Sequence, residues 1–287
     1  MTHDRRAFLK ASATGAVGAA IPGRWLQRAT APTRGASIQL LRNATCIIRY
    51  AGKSFLLDPM LSDARAIAPA PGRPYGPNPT VPLPVTAAQV VSTTEATLLT
   101  HTHFDHWDGP ARELIPKSRP LFGQPQDRMR LADAGFTEVR PIETTLTWDG
   151  ITLTRTGAQH GRGDTAQLMA PVSGWVLSAQ GAPTIYIAGD TVWCPDVAAA
   201  IRAHSPDVVV VNAGAAQPIA NGGSITMDVD DVVSTCQAAP QATIVAVHMD
   251  ATSYGALSRA GLRAGLAGRA VRSTVLIPQD GEEVTLA

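Results

Sequence analysis

Thr100-His101-Thr102-His103-Phe104-Asp105-His106-Trp107-Asp108-Gly109 is the stretch that most restricts what this chain can be. Three imidazoles and one carboxylate fall between positions 101 and 106, directly after the apolar run Ala96-Thr97-Leu98-Leu99-Thr100, which reads as a buried strand. Imidazole and carboxylate are the ligand types that hold a zinc-like cation. A helix is a poor host, because His101 and His103 would point to different sides. On an extended turn at a strand end, alternation sends these two the same way, and a tight bend brings Asp105 and His106 around a second position. A polar loop with scattered histidines is the bland alternative. It would stand against a lone His-x-His, but not against His-x-His-x-Asp-His after a buried strand.

Composition narrows the partners. The chain has 287 residues and is 45% hydrophobic, enough for a sizeable core in one large domain or two small ones. Net charge is +1, and without the first 31 residues 19 basic side chains face 22 acidic ones. With no basic field and only 5% aromatics, nucleic acid is not an expected partner. Beyond the N-terminus nothing is long and apolar enough to span a membrane. Cys46, Cys194 and Cys236 are odd in number, far apart and without a C-x-x-C, which reads as buried free thiols. A single Cys46–Cys236 or Cys194–Cys236 bridge stays open.

At the start of the chain, Asp4-Arg5-Arg6-Ala7-Phe8-Leu9-Lys10 precedes a mild Ala/Gly run, Ala11 to Ile21. This resembles a twin-arginine export signal. The resemblance implies the twin-arginine export machinery as a partner, a periplasmic or otherwise exported mature protein, and removal of the signal. Residues 1–36 are assigned to signal and tail, and 37–287 to one domain.

Along that domain, Ser37 to Leu41, Cys46 to Tyr50 and Ser54 to Leu57 read as an antiparallel meander, with a hairpin turn at Ala51-Gly52-Lys53. Asp58 ends the third strand, either as a carboxylate orienting a ligand histidine from behind or as a turn former before Pro59. Residues 69 to 84, rich in proline, cannot be helix or central strand. They read either as a lip offering Arg73 and Tyr75 to substrate or as a plain surface excursion. From residue 96 strands and helices alternate. Helices are expected over Pro110–Ile115, Gln124–Ala134, Pro195–His204, Met227–Ala238 and Tyr254–Leu266. Strands are expected near Leu121 and over Thr145–Trp148, Ile151–Ala158, Gly174–Ser178, Thr184–Ala188, Asp207–Asn212, Ile244–Val247, Val275–Ile277 and Glu283–Leu286.

Further ligand types stand at strand ends: His160, Asp190 after Gly189, Asn212, and His248. Singly these read as structural residues, but side chains at one end of several strands can converge on a cleft. The series His-x-His-x-Asp-His, then His, then Gly-Asp-Thr, then His resembles the metallo-β-lactamase superfamily. Asn43-Ala44-Thr45, Leu57-Asp58-Pro59-Met60-Leu61, Ile187-Ala188-Gly189-Asp190-Thr191-Val192-Trp193 and Val245-Ala246-Val247-His248-Met249-Asp250 are similar to its L-ascorbate-6-phosphate lactonase-like (UlaG-like) branch of metal-dependent hydrolases. The resemblance implies an α/β (α+β) fold, a four-layer αβ/βα sandwich, with two divalent metals, zinc foremost and manganese or iron as alternatives. It implies that His101, His103 and His160 hold the first metal, that Asp105, His106 and His248 hold the second, and that Asp190 bridges. Where such relatives often carry a further histidine, Tyr254 stands.

The chemistry so implied is hydrolysis by a metal-bridging hydroxide, cleaving a small ester, lactone or phosphodiester, with Asp105 and Asp190 as catalytic carboxylates. Trp107, Trp193, Asn212 and Tyr254 are candidate substrate-binding residues, with packing or capping as the alternative for each. No serine or cysteine sits in a nucleophile-elbow context. Two competing readings are a phosphodiesterase like N-acyl-phosphatidylethanolamine phospholipase D and a non-enzymatic metal-binding protein of the envelope.

Overall fold

The computed structural model describes residues 35–219 and 222–286. The Arg5-Arg6 segment, on which the export reading rests, lies outside the described residues. Strands β1 (Ala36–Arg42), β2 (Thr45–Tyr50) and β3 (Lys53–Leu57) form the expected meander. After them come α1 (Ala87–Ser92), β4 (Ala96–Leu98), α2 (Gly109–Leu114), β5 (Leu121–Gly123), α3 (Arg128–Asp133) and β6 (Val139–Pro141). The second half runs β7 (Thr145–Trp148), β8 (Ile151–Thr156), α4 (Asp164–Met169), β9 (Gly174–Ser178), β10 (Ile185–Ile187), α5 (Pro195–His204), β11 (Val208–Asn212), α6 (Val229–Ala238), β12 (Thr243–Val247), α7 (Arg259–Leu266), β13 (Thr274–Leu276) and β14 (Glu283–Leu286).

Among the described residues these strands make two seven-stranded sheets, ordered β14-β1-β2-β3-β4-β5-β6 and β13-β12-β11-β10-β9-β8-β7. The chain's last strand therefore closes the first sheet. Strand periodicity explains the layers. In β11, Val208 and Val210 turn inward to meet Leu98, Phe122 and Trp175 between the sheets, while Val209 and Val211 turn outward under Val197 and Ile201 of α5 and Val232 of α6. On the other face Leu41, Ile47 and Leu56 meet Val90, Ala111 and Leu131 from α1, α2 and α3. The result is a mixed α/β sandwich in four layers, as expected.

Strand direction brings the candidate ligands to one edge. β10, β11 and β12 are parallel, and β8 runs the same way because both it and β10 are antiparallel to β9. β3 and β4 are likewise parallel. Asp58, His101, His160, Asp190, Asn212 and His248 all stand at or just after the C-terminal ends of these strands.

Three expectations needed correction. The helix expected from Tyr254 starts at Arg259, because Ser258 caps it through its Oγ and the preceding segment is tied elsewhere: Tyr254 lies in a turn and its carbonyl accepts from the Gln217 amide, and Gly255 is bridged to Ala216. The single helix expected over 124–134 is a short 3₁₀ turn, Pro125–Asp127, followed by α3. Helices α1 and α4 were not anticipated. α1 has a Thr86/Gln89 capping box as a local signal, whereas the short α4 has no side-chain cap.

Candidate metal centre

The loop after β4 folds as a series of turns, with His106 and Trp107 amides donating to the His103 carbonyl. This reverses the chain within one turn and sets His101 and His103 beside each other, Nε2 to Nδ1 3.0 Å, with the His106 ring 4.2 Å from that of His101. His160, Asp190 and His248 arrive from the second sheet. Two groups result, His101 with His103 and His160, and Asp105 with His106, Asp190 and His248, and within each group the ligand atoms lie within 4.8 Å of one another. Atoms bound to one cation at about 2.0–2.2 Å stand up to about 4.4 Å apart, so slight closure suffices. Asp190 lies between the groups: its Oδ2 is 3.3 Å from His106 Nε2 and 3.3 Å from His160 Nε2.

The surroundings orient these atoms. Asp58 accepts from the Thr100 amide (2.8 Å) and from the Thr100 hydroxyl (2.7 Å), and lies 2.9 Å from His106 Nδ1. With its hydroxyl hydrogen given to Asp58, Thr100 Oγ1 accepts from His101 Nδ1 at 3.0 Å. One carboxylate therefore sets the tautomer of two histidines and turns both Nε2 atoms to the centre. His160 Nδ1 donates to the Ile225 carbonyl at 2.9 Å, and the Asn212 amide donates to Asp190 Oδ1 at 2.6 Å. Asn43 ties the two sheets here, donating to the Asp105 carbonyl and accepting from the His248 amide.

Close backbone approach has a cost in conformation. Asp58 and His248 both adopt left-handed φ, 43° and 65°, which non-glycine residues do at an energetic cost. Gly214 lies against His248, and a Cβ there would stand 2.2 Å from the His248 carbonyl oxygen. Gly189 has φ 70°, and its Cβ would meet the Ser173 carbonyl at 2.8 Å.

With no cation bound, burial and charge would decide the protonation of these groups. Burial lowers His101 and His160 and brings His103 down to about 4, leaving these imidazoles neutral with free lone pairs. Burial also works against a charged His106, yet Asp190, Asp105 and Asp58 together raise it well above the ordinary value; His248 is likewise raised, by Asp190 and Asp105 against its burial. Asp105 and Asp190 are held far below the carboxylate range by these same histidines, against their own burial. Two buried carboxylates thus demand positive charge, which protons on His106 and His248 supply. His106 Nε2 is buried without a hydrogen-bond partner among the described residues. An orphaned nitrogen facing two carboxylates, in an all-nitrogen and oxygen donor set, fits divalent cations.

Of Trp107, Trp193, Asn212 and Tyr254, Tyr254 alone lines the pocket above this floor. Its ring meets Tyr75 at 5.1 Å, and its hydroxyl lies beside the Asp105 carboxylate; burial first and that charge second push the hydroxyl well above the usual phenol value. Asn212 holds Asp190. Trp107, 1% exposed, packs on Phe136 in the outer core, and Trp193, partly buried, packs against the outer core of the second sheet; neither lines the pocket. The pocket measures about 340 Å³ and is walled by Phe104, Ile225, Met169 and Ile219, with Arg73 and Tyr75 at the rim. The apolar wall was missed in the sequence, since isolated Phe104 or Ile225 carries no motif. The three cysteines are buried free thiols.

A family profile described as beta-lactamase superfamily domain matches residues 53–249. The chain is 36% identical over 253 residues to the UPF0173 protein YddR of Bacillus subtilis, covering 87% of this chain and 99% of that one. It is similar in structure to a possible metal-dependent hydrolase from Veillonella parvula, with TM-score 0.83, 35% identity, and coverage of 87% and 99%. It is also similar to an isothiocyanate hydrolase from Delia radicum gut bacteria, with TM-score 0.81, 35% identity, and coverage of 86% and 98%.

Proposed function

The chain belongs to the beta-lactamase superfamily and, by kinship, to its UPF0173 metal-dependent hydrolases; from that premise we propose that it uses two divalent cations to hydrolyse a small ester, lactone or phosphodiester. The observation that carries this reading is the meeting of seven ligand-type side chains in two sets with Asp190 between them. His101, His103 and His160 would hold one cation, Asp105, His106 and His248 the other, and Asp190 would bridge. Zinc suits the donor set, as manganese or iron also do. Cations held there would polarise the reacting oxygen and lower the pKa of a water from 15.7 toward about 7.

The chain's own residues do the rest. Asp58 and Ile225 O keep the ligand nitrogens aimed. Asn212 occupies Asp190 Oδ1, leaving Oδ2 to the centre. Burial and the Asp105 charge favour the protonated Tyr254 hydroxyl, which can donate to Asp105 or to a substrate oxygen. Phe104, Met169 and Ile225 keep water from the apolar side of the reacting group. The lactonase-like motifs motivate the ester and lactone class. A second reading, isothiocyanate hydrolysis, is supported by the gut-bacterial relative and by the apolar wall. There water would add to the central carbon, releasing an amine and carbonyl sulfide.

The test is elemental analysis of the purified protein beside the His103→Ala and Asp190→Ala variants, followed by turnover of esters, lactones, phosphodiesters and isothiocyanates. About two equivalents of metal, reduced in both variants, with turnover of one class, are expected. Tight metal binding without any turnover would favour the non-enzymatic reading. Export is a separate part of the proposal. Replacing Arg5 and Arg6 by lysine is expected to retain the protein in the cytoplasm, and unaltered export would refute it.

A further inference from the structure

We propose that the proline-rich rim reads an anionic group on the substrate, with the Arg73 guanidinium meeting a carboxylate or phosphate at the far end of an apolar body whose reactive group lies on the His/Asp floor. The proposal rests on the hydrolase reading above and names the substrate class of the same site.

The rim is a built structure rather than a slack excursion. Ile67 and Asn78 exchange backbone hydrogen bonds at 2.8 Å and close the loop at its base. Asn78, itself buried, accepts from the Ser253 amide at 2.7 Å, and the Ser253 hydroxyl donates to the Gly76 carbonyl at 2.9 Å. The Thr80 amide and hydroxyl donate to the Ala251 and Asp250 carbonyls. Tyr75 stacks edge-on against Tyr254. The loop is therefore fastened to the segment that directly follows the ligand His248, so its position is coupled to that of the floor. Within it a turn closed from the Arg73 amide to the Ala70 carbonyl (3.1 Å), with Gly72 at φ 78°, presents Arg73 and Ala70 to the pocket.

Charge supplies the second part. The charged or titratable side chains lining the pocket are Arg73, His103, Asp105, His160, Asp190, Tyr75 and Tyr254. The histidines and carboxylates belong to the floor, and the tyrosines are phenols. Arg73 is the one permanent cation among these described lining residues, and its guanidinium makes no hydrogen bond or ion pair among the described residues. Two divalent cations held there would face three buried carboxylates, Asp58, Asp105 and Asp190, and would leave the floor positive by about one charge, so Arg73 would add to a positive cleft instead of neutralising a negative one, and such a cleft concentrates anions. A planar guanidinium matches carboxylate and phosphate in bidentate fashion. Between rim and floor lie Phe104, Ile225 and Met169, which can hold only an apolar body. A volume of about 340 Å³ confines that body to a small molecule.

The test is calorimetric binding to the metal-loaded protein of a homologous series of benzoylamino-alkanoic acids, each beside its neutral N-methylamide, with the corresponding phosphonates as a second series. Wild type, Arg73→Gln and Arg73→Lys are compared, and turnover of a neutral aryl ester is followed in each. The acid is expected to bind wild type about tenfold more tightly than the amide. The preference should fall within about twofold in Arg73→Gln and survive in part in Arg73→Lys. Whichever series shows the larger Arg73-dependent preference identifies the anion. A preference equal in wild type and Arg73→Gln would place the anion on the metal ions and overturn the proposal, as would no preference at all. Arg73 is exposed and its guanidinium makes no hydrogen bond or ion pair among the described residues, so its variants should fold, which the thermal midpoint of each checks, and neutral-ester turnover is judged in wild type. Absence of that turnover in wild type would count against the hydrolase reading alone, because the binding preference is read without catalysis.

Discussion

The floor and the rim of the pocket are built on opposite terms. The floor is almost entirely buried and mounted on strand ends from both sheets, and three of its histidines are aimed through the other ring nitrogen: His106 by Asp58, His101 by Thr100 and His160 by Ile225 O. The rim is carried by the proline-rich loop, α4 and the turn at 217–219, and it exposes apolar groups such as Leu168, 72% accessible. A site whose floor is preorganised and whose rim is a set of short loops can keep one chemistry while its substrate changes. Mutations should therefore sort by depth.

The deepest change should have the largest effect. His103→Ala removes a candidate ligand whose side chain makes no contribution to either sheet, so turnover is expected to fall at least about a thousandfold while the thermal midpoint of the metal-free protein stays within a few degrees. A small loss of activity would break the contrast at its strongest point. One layer back, Asp58→Ala frees His106 and Thr100 together and should weaken metal binding about 10- to 100-fold, measured by competition with a chelator. Asp58→Ala at unchanged affinity would mean that the strand ends alone aim the imidazoles.

The floor also predicts a pH dependence for the metal-free protein. His103 has a folded value of about 4 against an ordinary 6.5. Between these values the unfolded chain binds the proton and the folded chain does not, so this group's contribution is unfavourable below pH 6.5 and stability rises with pH across the window from about 4 to 6.5. Removing His103 should flatten that rise, seen as the difference between wild-type and His103→Ala denaturation midpoints at pH 4.5 and 7. His106 and His248, raised by their carboxylates, work in the opposite direction above 6.5, which is why the comparison is made between two proteins rather than read from wild type alone.

The smallest effect belongs to the rim. Leu168→Ser should leave metal content and stability unaltered and change KM for apolar substrates about two- to fivefold, with kcat preserved. An equal fall in kcat would show that α4 helps to set the floor and would sharpen the division between the two regions.

The two layers were not equally legible. His101, His103, Asp105 and His106 stand out because four ligand-type residues crowd one turn, and strand-end placement was readable for His160, Asp190 and His248. The strand pattern, the meander and helix α5 over Pro195–His204 follow from periodicity and caps. Trp107 and Trp193 took the packing alternative: Trp107 is buried in the outer core and Trp193 packs, partly buried, against the core of the second sheet, because a large aromatic ring gains most by leaving water against apolar neighbours. The start of α7 was misplaced because Gly255 pairs with Ala216, a partner 39 positions away that local propensity does not register.

By itself the amino-acid sequence determined which chemistry this chain can hold, since ligand type, spacing and strand periodicity are local properties. Only the tertiary structure decided which ligands meet, through parallel strand directions that bring six strand ends to one edge and through Gly214 and Gly189, which let backbones approach where a Cβ would collide. It alone decided, too, that Tyr75 and Arg73 overlook the floor, because the loop is fastened by Asn78 and Ser253, residues 175 positions apart whose pairing depends on the fold and on no repeat or motif in the chain.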